Sequence, residues 1–581
     1  MRKIGFVIAL VAMIGLAWFW LDRDGYTSVD ENDVLGFVPH DTPYVFANLA
    51  PLPNDVVTVS LRQVDSQVSK WRGWIAQALA TPDTSDANAG QESLLPSDTH
   101  AVLRAIDAEL AAAPDSAALM ARIGLDPFNT RFAFYGLGLV PVARITLADP
   151  AAFQALMGRM QESSGETLPP VMLAGVTAGW RIALPEVPVE AVLAIIDSQL
   201  ILTVAPTENE AALRTLLGLD RPQHSLADSG ALQTLNHSEG FTAWGSGFVD
   251  TAQLFAQFRT PATPLEAAFL TLLESEKPML PASCDADVAR FVQAFPRLVA
   301  GSTRMDAKHM DTLIRIETSP DLAQQLLTLR TPMPGLTGTK DAVASLGIAL
   351  KVSALSDLGN QWGSATAAAP WTCPALEWIN EAAAQTRMRL NNATLHMAGA
   401  LFNSLLVVLD RFHFDLATQR PSDLVARLVI SSDNPTNLIA TARSFVPQLA
   451  SLTLEPGAPP QSVPAGLLMD VIKQPAFVAM DTGTLALAIG EGQDARLPDY
   501  LHANSDTSPL FIVSYRSELM AEMVRLIREA AQSASDDERE RLISNAQMIE
   551  DFYVKHYQAW EQSISLSERG IEMQQRIELK P

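Results

Sequence analysis

Two cysteines, Cys284 and Cys373, are the only thiols in the chain. An oxidising compartment would join them as a structural disulfide. The competing readings are two buried free thiols and a reactive thiol. Each cysteine opens a helical pattern, Cys284-Asp-Ala-Asp-Val-Ala-Arg-Phe and Cys373-Pro-Ala-Leu-Glu-Trp, and a helix N-terminus lowers a thiol pKa. With no C-x-x-C, redox chemistry has no motif, and the disulfide is the expectation. The nine histidines are scattered, none at the i, i+4 spacing of a zincin, so no metal site is nominated. Gly245-Ser246-Gly247 is not a G-x-S-x-G elbow. Gly335-Leu-Thr-Gly338-Thr339-Lys340-Asp341 lacks the Gly-Lys-Ser/Thr of a phosphate loop and reads as a linker. Gly490-Glu-Gly492-Gln-Asp-Ala495 satisfies only a relaxed dinucleotide pattern and reads as a turn. No catalytic residue and no cofactor are therefore expected. Arg144 and Arg427 remain. An arginine on an apolar strand either pairs with a carboxylate across the sheet or binds an anion, and the structural pair is the preferred reading.

These residues must be positioned by a body that begins after an apolar N-terminus. No residue from Ile4 to Leu21 is charged. At about 1.5 Å per residue that run reaches roughly 27 Å, enough for a bilayer core. Arg2 and Lys3 precede it, and Trp18, Phe19 and Trp20 close it, the pattern of an anchor with its N-terminus in the cytoplasm. A cleaved signal would need small residues where the tryptophans stand. The expectation is a transmembrane signal anchor over 1–24.

Beyond it, hairpin-like strand pairs alternate with helices. That order predicts α+β architecture with antiparallel sheets. Strands are expected at Tyr44–Leu49, Arg131–Tyr135, Val140–Leu147, Val171–Ala174, Ala178–Ala183, Ala191–Ile196, Leu200–Val204 and Phe241–Phe248. Asp149-Pro150 should cap and open a helix. Ser535-Asp-Asp-Glu538 should open another, running towards Trp560.

The order then recurs. Val142-Ala-Arg144-Ile-Thr-Leu-Ala-Asp149-Pro150 resembles Val425-Ala-Arg427-Leu-Val-Ile-Ser-Ser-Asp433-Asn-Pro435. Ala191–Val204 has a counterpart in Ala476–Ile489, and Arg315-Ile316-Glu317 in Arg576-Ile577-Glu578. The reading is two divergent copies of one unit, 34–320 and 340–581, joined by a linker at 331–339. A Cys284–Cys373 bond would then cross from one copy to the other.

Composition narrows the function. Lys plus Arg number 41 against 65 Asp plus Glu, a net charge of −24. Nucleic acid is an unsuitable partner for that balance. After the anchor, Phe37-Val38-Pro39-His40-Asp41-Thr42-Pro43-Tyr44-Val45-Phe46-Ala47 resembles the opening of a family of membrane-anchored envelope proteins of Gram-negative bacteria with no established activity. The resemblance implies a single-pass inner-membrane protein with its body in the periplasm, and it supplies no site residues. The leading expectation is a non-enzymatic binding or scaffold protein whose partners are the membrane and an envelope protein. The alternatives are a carrier of lipid or another apolar ligand, motivated by Leu401–Leu409, and an enzyme of unrecognised type. Topology is directly testable. Alkaline phosphatase fused after Pro581 should be active, and a reporter that fails on export should stay dark. The reverse pattern would overturn the placement.

Overall fold

A computed structural model describes residues 34–80, 97–184, 189–207, 209–259, 263, 266, 280–392, 399, 401–464, 472, 474–502 and 508–580. The expected anchor, 1–24, lies outside these residues. No helix among the described residues is long and apolar enough to cross a membrane. The protein is mixed α+β, and its strands pair antiparallel. It divides into two compact units. One runs to Pro281 and includes Arg297–Ala307, and the other comprises Ala282–Pro296 and Lys308–Lys580. The expected linker, 331–339, falls inside the second unit.

In the first unit the strands are β1 (Tyr44–Ala47), β2 (Phe132–Leu137), β3 (Val140–Thr146), β4 (Ala178–Ala183), β5 (Val189–Ile196), β6 (Gln199–Pro206), β7 (Ser246–Asp250) and β8 (Arg297–Asp306). Their order across the sheet is β8-β7-β1-β2-β3-β6-β5-β4. Side chains alternate between faces, and both faces are buried along β5 and most of β6, while Phe46 on β1 and Leu298 on β8 stay 37 and 36% exposed. Phe132, Ile145, Leu193 and Leu200 pack under the helices Ser97–Ala111 and Pro150–Ser164, with Ile106, Leu110, Phe153 and Leu156 in one core. Pro150–Ser164 forms as its sequence predicts. The Asp149 carboxylate accepts from the amides of Ala151 and Ala152 at 2.9 and 3.0 Å, Pro150 occupies the first turn, and Gly165 at φ 71° ends the helix.

In the second unit the strands are β9 (His309–Glu317), β10 (Ala344–Ala349), β11 (Ser404–Asp415), β12 (Arg420–Ser431), β13 (Gln461–Ser462), β14 (Ala476–Met480), β15 (Thr484–Ile489), β16 (Phe511–Arg516), β17 (Tyr557–Ser567) and β18 (Gly570–Leu579). Their order is β9-β18-β17-β16-β10-β11-β12-β15-β14-β13. From β17 to β13 each label is that of the first sheet plus nine.

Several expectations are corrected. Trp560 lies in β17, because the helix Asp536–Ile549 gives way to a π-turn over Glu550–Val554. Ser535 is the N-cap of that helix but makes no side-chain cap hydrogen bond. Val171–Ala174 is not a strand, and only the bridge Pro170–Trp180 lies beside it. The strand expected from Phe241 begins at Ser246. Asn434 caps the helix Pro435–Phe445, and the Asp433 carboxylate accepts from the Asn403 side chain at 2.7 Å.

Cys284 and Cys373 are joined, with Cα atoms 4.7 Å apart, and both lie in the second unit. Cys284 immediately precedes the helix Asp285–Ala294. Cys373 does not open a helix, since the next one starts at Trp378. The bond has company. The Asp287 carboxylate accepts from the amides of Thr372 and Cys373 at 2.6 and 2.8 Å. Burial pushes the Asp287 pKa up, but these donors and Arg290 outweigh it and hold the group below its ordinary value. Arg290 stacks 3.5 Å over the Trp371 ring. Closing an 89-residue loop is worth at most about 4–5 kcal/mol by loop entropy, with about 2–4 kcal/mol usually realised. Unfolded protein taken from an oxidising compartment should accept no thiol label before reduction and two per chain afterwards, as a monomeric gel band. Two labels without reductant would contradict the bond.

Candidate functional site

Each sheet holds a guanidinium beneath its surface. Arg144 on β3 is fully buried and meets no carboxylate. Its Nε donates to the Tyr135 hydroxyl at 3.2 Å, Nη1 to the Gln199 side-chain oxygen at 2.8 Å, and Nη2 to the Leu217 carbonyl at 2.5 Å. The Phe37 ring lies 3.9 Å from the guanidinium carbon. Gly218, at φ 72°, ends the helix Glu210–Leu217, and a Cβ there would come within 2.2 Å of the guanidinium. The charge thus joins the turn Val34–Phe37, the end of Glu210–Leu217 and the sheet.

Arg427 on β12 does the same work with other partners. Its Nη1 reaches Asp410 at 2.5 Å and its Nη2 reaches the Gly338 carbonyl at 2.5 Å. Tyr500 places its ring centroid 4.5 Å from the guanidinium carbon, and Nε has no partner. One arginine therefore has the cross-strand carboxylate that the pattern suggested, and the other has neutral oxygens. Around Arg427 the sheet end opens into a cleft of about 470 Å³, lined by Thr337, Gly338, Lys340, Asp341, Asp410, Arg411, Val425, Gln493 and Arg496. Both glycine-rich stretches singled out in the sequence, Gly335–Asp341 and Gly490–Ala495, border this one cleft. Ser246, by contrast, is fully buried in β7. Among the described residues no cluster of His, Cys, Asp and Glu could hold a metal ion.

The reverse face of the second sheet is unlike any solvated surface. Antiparallel sheets that face water usually show polar side chains there. The register instead aligns Leu485, Ile430, Leu405, Ile348, Phe511, Ile564, Met573 and Ile314 in one row across eight strands. Seven inter-strand steps of about 4.8 Å make the row roughly 34 Å long. A second row places Leu428, Val407, Leu346 and Val513 beside it. Leu346, Ile348, Leu405 and Val407 are 46, 47, 40 and 42% exposed, whereas Leu406 and Val408 on the other side are fully buried. At one end Leu485, Leu487 and Ile489 are covered by Leu449, Leu452 and Leu454. Further along, on β16 and β17, Tyr515 stacks on Trp560 with centroids 5.1 Å apart, and Tyr553 meets it edge-on.

The matching face of the first sheet lies under the helices that follow β1 and β3. The chain after β10 also makes helices, Val352–Ala368 and Trp378–Leu390, but they pack on each other. A Cβ at Gly359 would lie 2.2 Å from Leu390. The sequence pointed to Leu401–Leu409, and the structure separates that stretch into one buried and one open side. It gave no sign of Asp410 as the partner of Arg427, because carboxylates are too common in this chain to single one out. No protein-family model, curated protein or solved structure matches the chain.

The two arginines should respond differently to loss. Arg427→Met strands the Asp410 carboxylate and should destabilise the protein by about 3–5 kcal/mol, while Arg427→Met with Asp410→Leu should recover most of that. Arg144→Met leaves three neutral acceptors without donors, about 1–3 kcal/mol for each one that water cannot reach. Urea unfolding of the three variants measures this. A double variant no better than Arg427→Met alone would remove Asp410 from the account.

Proposed function

We propose that this chain is a non-enzymatic binding protein of the bacterial envelope whose ligand is a lipid or another apolar molecule. Residues 1–24 anchor it in the inner membrane and the body lies in the periplasm. The observation that carries the reading is the open apolar face centred on Leu346, Ile348, Leu405 and Val407. Apolar area left in water costs about 25 cal/mol per Å², and contiguous exposed patches of this kind mark binding surfaces. Acyl chains fit such a face because they need area and no hydrogen bonds.

The body is further read as two divergent copies of one nine-strand unit. Support comes from the strand orders, which run in parallel, and from the pairing of β9 with β18. Arg315-Ile316-Glu317 and Arg576-Ile577-Glu578 are 261 positions apart (576 − 315). Leu313 pairs with Gln574, also 261 apart, so the register is centred on a residue and its own counterpart. Arg315 faces Glu572, and Arg576 faces Asp311, which is again the same pair of positions exchanged. Divergence of two copies accounts for one covered and one open face.

Ile348 and Leu405 stand directly opposite each other on β10 and β11. Ile348→Lys with Leu405→Glu places opposite charges at that pair, which a sheet tolerates. Native mass spectrometry of gently extracted wild type should show co-purified lipid, and a fluorescent fatty acid should bind saturably. The double variant should lose the lipid and bind the probe at least tenfold more weakly, with unchanged circular dichroism. Wild type that carries no lipid and ignores the probe would sink the proposal.

A further inference from the structure

We propose that the cleft beside Arg427 is an anion site that takes a phosphate group, either free or as the head of a phospholipid. The argument begins with charge. In a chain with 65 carboxylates and 41 Lys plus Arg, a cation has many partners within reach. Arg159 pairs with Glu109, Arg315 with Glu572 and Arg525 with Glu522. Lys340 and Arg496 line the same cleft, and neither has a carboxylate within ion-pair distance among the described residues; the Arg496 guanidinium lies 5.7 Å from the Tyr500 ring. Arg411 also lines the cleft, but its charge is shared with Asp423, 3.7 Å away. On the acidic side, Asp410 is already neutralised by Arg427, which leaves Asp341 alone among the lining residues.

The cleft is therefore locally cationic on a strongly acidic protein. Lysine and arginine heads converging on one opening suit a doubly charged oxyanion better than a single carboxylate. The volume admits a phosphate with an organic substituent. Free phosphate and a phospholipid head group are both sources of the same chemistry. The inference stands on the cleft and not on the apolar face.

The test uses the full-length protein in a non-ionic detergent, titrated by calorimetry with inorganic phosphate and, separately, with dihexanoyl phosphatidic acid. At least one probe should bind saturably. Lys340→Gln with Arg496→Gln should weaken that binding at least tenfold and leave the melting temperature unchanged, because both side chains are exposed and make no ion pair. Saturation by phosphate alone, or by both probes equally, identifies free phosphate as sufficient. Saturation by the lipid only identifies a head-group site. Failure of both probes to saturate, or a double variant that binds like wild type, would overturn the proposal.

Discussion

A buried guanidinium on the middle strand of each sheet is the constraint on which the rest of this structure depends. An isolated charge in a protein interior is costly, and the cost is met only by fixed donors and acceptors around it. At Arg144 those are a phenol, an amide oxygen and a helix-end carbonyl. At Arg427 they are a carboxylate and a turn carbonyl. In both cases the segment leading into the first strand, Val34–Phe37 or Leu336–Gly338, is held against the sheet by the arginine. The helix after β6 or β15 supplies the other side, through Leu217 or Tyr500. This side of each sheet is tied down at its arginine, and beside Arg427 it opens only into the cleft lined by Gly338, Asp410 and Arg496.

The opposite side is under no such constraint, and there the two sheets differ. Helices after β1 and β3 bury it in the first unit. In the second, the corresponding insertions pack on each other or cover only the β14–β15 end. What remains is an apolar surface bounded by aliphatic residues at the β14–β15 end, with an aromatic cluster on β16 and β17. The disulfide and the Asp287 contacts hold the segment 369–373, between two helices that leave this face open, to the helix Asp285–Ala294.

The sequence made the fold class legible wherever local chemistry decides structure. Asp149-Pro150 opened its helix, and Ala178–Ala183 is the expected strand. It failed where tertiary pairing outweighs local signals. The stretch before Trp560 carries helix-forming charge, yet β17 is fixed by β16 on one side and β18 on the other. The open face was half legible. Within Leu401–Leu409, the run Leu405–Leu409 is apolar on both sides, the pattern of a strand buried twice, and nothing in it says that one cover is missing. Asp410 was invisible because its meeting with Arg427 follows from the β11–β12 register, which no local signal sets, and carboxylates are common in this chain.

The central claim is that the open face carries an apolar ligand in the cell. Site-specific photocrosslinking tests it most directly. A benzophenone amino acid at Val407, on the open face, should give an adduct of lipid mass in intact cells. The same probe at the exposed Thr418, in the β11–β12 turn, should give none. Adducts of protein mass only, or no adduct at Val407, would contradict the account.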